Sequence, residues 1–135
     1  MNSKSIVSVF CGGVLALVFS TGSLAADLYV IANSGVNLTV ADAREVFLGE
    51  KQFSGSIKLV PVDNAAVQEA FLAKVVKMDS AKYASSWTKK SFRDGLTPPA
   101  LKSGDAEVIE FVKRTPGAVG YVSTSPSNVS VIQKF

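Results

Sequence analysis

Hydrophobic and polar positions change period along this chain, and each change marks an element. Leu28 to Ala32 is a short β-branched and aromatic run that predicts a first strand. Asn33 to Asn37 has turn chemistry. Val40, Ala43 and Phe47, with Val46 beside them, then recur at helical spacing. Thr39 and Asp42 form a capping box at the start of that helix, with Asp in place of the usual Glu, and Gly49 stands where a helix ends. Lys51 to Ser56 is polar and turn-like. Lys58 to Asp63 predicts a second strand, which Pro61 confines to an edge or makes locally irregular, because proline donates no ladder hydrogen bond.

Asn64 is a natural N-cap for the helix that follows, whose apolar stripe is Val67, Phe71, Val75 and Met78. Asp79 caps a further helix from Ser80 to about Phe92, with Tyr83 and Trp87 one turn apart. Arg93 to Gly104 is a connection, since Gly95, Pro98 and Pro99 prevent it from being helical throughout. The last helix begins at Ser103 or Gly104. Asp105 and Glu107 in its first turn and Lys113 and Arg114 in its last suit the helix dipole, and Val108, Phe111 and Val112 form its buried stripe. Pro116 and Gly117 stop it. Ala118 to Ser123 is a strand in which Gly120 bulges or admits another backbone closely; after a turn at Ser125 to Asn128, Val129 to Ile132 is a final short strand. The order β-α-β-α-α-α-β-β predicts an α/β layer architecture, since strands joined through helices imply crossover connections.

The N-terminus reads differently. Lys4 precedes an apolar run from Ile6 to Phe19 that is too short to span a membrane comfortably, and Ser23 and Ala25 place small residues where a signal peptidase cuts. Residues 1–25 are therefore predicted to be a cleaved signal peptide, with cleavage after Ala25 or Ala26. Cys11 falls early inside the apolar run and is read as part of that peptide. The domain is assigned to residues 26–135, in the periplasm, with no membrane span after cleavage.

Composition narrows the chemistry. The whole chain has no His, and Cys11 is its sole Cys, so residues 26–135 offer no Cys nucleophile, no His base and no His or Cys zinc ligands. No cofactor or metal is expected, and the domain is read as non-catalytic. Removing Lys4 with the signal leaves 14 − 1 = 13 basic side chains against 11 acidic ones, evenly spread. There is no basic block of the kind that binds nucleic acid.

Four segments carry a family likeness. Val46 to Gly49, Glu69 to Leu72, Gly95 to Pro99 and Asp105 to Val122 resemble, in order and spacing, the phosphate-binding component of bacterial phosphate ABC importers, within the type II periplasmic solute-binding superfamily. The resemblance implies a single lobe of that fold, a mixed β-sheet flanked by helices, and a small oxyanion such as phosphate as ligand for an ABC-type uptake system. Two departures qualify this. Full-length members close two lobes on the anion, and residues 26–135 suffice for about one. Members also carry an Arg and a Gly- and hydroxyl-rich run at the matching helix start, where this chain reads Val62 to Gln68, with neither Arg nor Gly. The alternative is a structural or interaction module of a cell-envelope assembly that has lost the anion site, acting through self-association or an envelope partner.

In open α/β sheets, ligands bind outside the carboxyl ends of strands. By that rule, Ser34, Gly35, Asp63 and Asn64 are the candidate ligand residues, joined by Ser103 at the start of the last helix. Asn64 and Ser103 have a plainer reading as helix caps, and Ser34 and Gly35 as turn residues. Tyr83 and Trp87 are read first as core, and Tyr121 as core with its hydroxyl reaching a polar edge.

Overall fold

A computed structural model describes residues 27–135; the predicted signal peptide and Cys11 lie outside the described residues. The chain alternates strands and helices: β1 (Tyr29–Ala32), α1 (Val40–Phe47), β2 (Phe53–Ser54), β3 (Ile57–Lys58), β4 (Val60–Asn64), α2 (Gln68–Phe71), α3 (Ser80–Asp94), β5 (Ala100–Lys102), α4 (Asp105–Arg114), β6 (Ala118–Val122) and β7 (Ser130–Lys134). Five strands form one mixed sheet in the order β5-β4-β6-β1-β7. β4 runs parallel to both β5 and β6, whereas β1 runs antiparallel to both β6 and β7.

Local chemistry fixes the element starts. The Thr39 hydroxyl accepts the Asp42 N–H at 3.2 Å, and the Asp42 carboxylate accepts the Thr39 N–H at 2.9 Å, so the capping box closes as its sequence predicts. Asp79 caps α3 by accepting the Lys82 N–H at 2.8 Å. The polar segment after α1 is more ordered than a turn: β2 and β3 pair across it as a small hairpin. β5 is a strand within the predicted connection.

The start of α2 departs from expectation. Asn64 ends β4 rather than capping a helix; its Oδ1 takes the Ala66 N–H at 3.0 Å, two residues on. That bond holds a turn, and α2 begins only at Gln68, without a side-chain cap. It continues as a wider π turn over Leu72–Val76, closed where the Lys77 N–H donates to Leu72 O at 2.6 Å. Phe71, Leu72, Val75 and Val76 are buried there.

Pro61 lies on an interior strand. The Val60 N–H bonds Gly117 O at 2.8 Å, so Pro61, next along, faces the opposite flank, where β5 does not begin until Ala100 opposite Val62. The missing N–H thus falls on an unpaired stretch.

The sheet separates two cores. On one face α4 packs over Ile31, Val62, Ala118 and Val122 through Val108 and Val112. Gly120 permits this approach, because a Cβ there would lie 2.7 Å from Val108 Cγ1. On the other face α1, α2 and α3 cover Val30, Ala32, Val119 and Tyr121. The Phe71 and Tyr121 rings stack at 3.8 Å between centroids, and Phe47 meets both edge-on. Trp87 ties α3 to α1 by donating to Phe47 O at 3.0 Å.

Candidate functional site

Because β4, β5 and β6 are parallel, their carboxyl ends meet at one edge, opposite the start of α4. Asn64, fully buried, organises that edge. Its Nδ2 donates to Asp105 Oδ1 at 2.8 Å and to Tyr121 O at 3.0 Å. Asp105 also accepts the Ser123 hydroxyl at 2.6 Å and the Ser123 N–H at 3.1 Å. Ser103 donates both its N–H and its hydroxyl to Glu107 Oε1, each at 2.7 Å. These bonds, the hydroxyl first, hold the Glu107 carboxyl below its ordinary range. Two carboxylates therefore occupy the first turn of α4, where an incoming anion would otherwise find the positive end of the helix. The cation nearest in register, Lys102, rests its Nζ 4.7 Å over the Phe111 ring.

Asp63 sits one residue before Asn64, and the strand's alternation turns it toward the α1–α3 face rather than the edge. It is 3 % exposed. Tyr121 donates its hydroxyl to Oδ1 at 2.7 Å and Tyr83 to Oδ2 at 3.0 Å. Burial raises the Asp63 carboxyl above its ordinary value, against the opposing pull of these donors. The same burial and the adjacent carboxylate push both tyrosine hydroxyls well above their usual range. Among the described residues, no buried side-chain nitrogen or oxygen lacks a partner.

The structure unites Asn64 and Ser103 at the α4 edge, sets Asp63 just behind them, and separates Ser34 and Gly35 from all three. The grouping of five assumed that β1 points the same way as β4. It does not: Ala32 pairs with Val119 and Tyr29 with Val122, so the loop after β1 lies at the amino ends of β4 and β6. Asn33 there bonds Val112 O at 2.9 Å, at the far end of α4, a helix about 15 Å long. Ser34 and Gly35 are exposed in that loop.

Sequence reasoning missed Asp105 as a partner of Asn64, Ser123 as a partner of Asp105, and Tyr83 as a partner of Asp63. The Tyr121 hydroxyl was its one legible signal. Among the described residues, no group of three or more His, Cys, Asp or Glu could hold a metal, and no helix is long and apolar enough to cross a membrane.

The architecture is α/β, a mixed sheet flanked by helices. One solved structure bears out the resemblance at the level of fold. A phosphate ABC transporter substrate-binding protein from Clostridium perfringens, solved with bound phosphate, matches with a TM-score of 0.60 at 18% identity, over 80% of this chain and 45% of its own. An ABC-type phosphate transport receptor from Vibrio cholerae matches with a TM-score of 0.49 at 17% identity, over 80% of this chain and 46% of its own. The chain thus spans a little under half the length of either protein. No family model and no curated protein matches it.

Proposed function

We propose that the chain is a secreted, periplasmic, non-catalytic binding domain of the phosphate-binding-protein type, and that it acts through the edge formed by Asn64, Ser103, Asp105 and Ser123. Within that class the geometry favours docking of a partner, as a module of an envelope assembly, over capture of phosphate. One observation carries this reading: the donors at the edge are already spent on the domain's own carboxylates, Asp105 and Glu107. An anion arriving there meets negative charge and loses the charge-assisted bonds, each worth about 1.5–3 kcal/mol, that would hold it. The absence of His and Cys from residues 26–135 supports a non-catalytic role, and the pattern of residues 1–25 supports export.

The second reading is a small oxyanion such as phosphate, bound for an ABC-type uptake system. It is favoured by the likeness to the C. perfringens protein, whose structure holds phosphate.

Thermal unfolding against phosphate, sulfate and other oxyanions separates the two. A ligand at 100 times its Kd stabilises by about 2.7 kcal/mol, a shift of several degrees for a domain this size. Docking predicts no shift at millimolar anion and a measurable partner or self-association in sedimentation. A shift with one anion establishes the uptake reading instead. Mass spectrometry of the exported chain, expected to begin at Ala26 or Asp27, checks the signal peptide.

A further inference from the structure

We propose that the cleft between α3 and β5 binds a small organic cation, an amine carried on a flat apolar ring, with Asp63 as its counter-ion. This site goes beyond the edge described above. It opens on the helical side of the sheet, and neither a docked partner nor an oxyanion at the edge requires it.

The cleft has a volume of about 560 Å3, within the usual range for small-molecule sites. Asp63 lines it, with Tyr83 and Trp87 on the α3 side and Pro99 and Leu101 on the β5 side. Phe92 also lines it while remaining 89% exposed, and Leu101 is 60% exposed. Large apolar side chains left open beside a concave aromatic surface are the signature of a face that a ligand covers.

Charge decides the class of ligand. None of the described residues lining the cleft is a Lys or Arg, although residues 26–135 carry 13 basic side chains (14 less Lys4). Asp63 is the one carboxylic acid there, and its hydrogen-bond partners Tyr121 and Tyr83 are both neutral. Its charge is solvated but not balanced. A carboxylate offers about four acceptor positions, and the two phenol donors leave a position open. An ammonium group would fill that position and neutralise the charge where the surrounding protein strengthens the attraction. The ring bearing it would lie against Tyr83 and Trp87, whose face already draws a cation, Lys90 Nζ lying 5.6 Å from its centroid. A carboxylate or phosphate would meet the Asp63 charge with no Lys or Arg among the cleft's lining residues to offset it.

Three probes of one shape and three charges test this: phenethylamine, 2-phenylethanol and phenylacetate. Trp87 is the sole Trp of the chain and lies on the cleft wall, so its fluorescence reports occupancy without interference from a phenyl ring. The expected order is amine, alcohol, acid, with the amine ahead of the alcohol by about tenfold or more in Kd. Asp63→Asn keeps the size of the side chain and should collapse the amine's lead to within about twofold while the alcohol still binds. Phe92→Ala should weaken all three alike. The proposal is overturned if no probe gives a saturable change at millimolar concentration, if phenylacetate binds best, or if Asp63→Asn retains the amine preference. Should Asp63→Asn fail to fold, the order of the three probes on the unaltered chain decides. Oxyanion shifts and self-association read the edge, so failure there is distinguishable from failure here.

Discussion

The two faces of the central sheet are built from the same strands and solve different problems. Alternation along β4 sends Val62 to α4 and Asp63 to the other side; along β6 it sends Val122 to α4 and Tyr121 to the other side. The buried residues of the α4 face are all aliphatic, with Tyr29 and Phe111 at its margin, and the face closes tightly because Gly120 has no side chain to hold the helix away. The opposite face is aromatic and includes two phenol hydroxyls, and that is why it can bury a carboxylate. A hydrocarbon face has no donors to offer, and an unpartnered Asp there would be prohibitively costly. The comparison teaches that the donors a face can offer decide which polar group it can bury.

The largest test cuts the aromatic face. Phe71→Ala removes the ring stacked on Tyr121 and met edge-on by Phe47, and should cost about 3–5 kcal/mol in denaturant unfolding. On the α4 face the damaging change is an addition. Gly120→Ala sets a methyl 2.7 Å from Val108 Cγ1 and 3.2 Å from Val62 Cγ2, and overpacking of that kind should cost about 1–3 kcal/mol. If Gly120→Ala proves neutral, the α4 face is looser than its geometry indicates.

Smaller changes probe the buried carboxylate. Tyr121→Phe keeps the ring and deletes the hydroxyl that donates to Asp63 Oδ1, and should cost about 1–3 kcal/mol at neutral pH. Acid should reduce that cost, since a protonated Asp63 needs its donors less. The sign for Asp63 itself follows from burial. Its folded carboxyl titrates above the ordinary value of 3.8, so its contribution to stability is fully present below that value and is lost as pH rises through the raised one. The unaltered chain should therefore gain stability relative to Asp63→Asn on acidification through that window, in Tm measured against pH. Asp42 behaves oppositely and weakly: the Thr39 N–H lowers its carboxyl, so the capping box contributes above the ordinary value and is lost as pH falls. A flat difference curve between the unaltered chain and Asp63→Asn would mean that Asp63 is better solvated than its burial implies.

Much of the fold was legible before any coordinates, where the physics is local. The Thr39–Asp42 capping box, the Asp79 cap, and the stop at Pro116 and Gly117 each depend on residues within one turn of one another, and each formed where it was read. The α4 stripe was read nearly whole, with Phe111 half-buried rather than buried beside Val108 and Val112. β5 was illegible because three residues after two prolines carry no period, and it is a strand only through pairing with β4. The β2–β3 hairpin escaped for the same reason.

The candidate site divides along the same line. Local residue chemistry was enough to place Tyr121 in the core with a polar reach, and the composition to show that residues 26–135 lack His and Cys, but the caps it read at Asn64 and Ser103 did not form: α2 and α4 both begin without a side-chain cap. Which of these meet was decided by topology. The direction of β1 is set by its pairing with β6 and β7, and it carries Ser34 and Gly35 to the far end of the sheet. The partners of Asp63 arrive from 20 and 58 residues away, and those of Asn64 from 41 and 57. Caps and periods are written in neighbouring residues because the chain's own geometry brings them together. A buried carboxylate among phenols depends on strand order and helix packing, which are settled only when the whole sheet has formed.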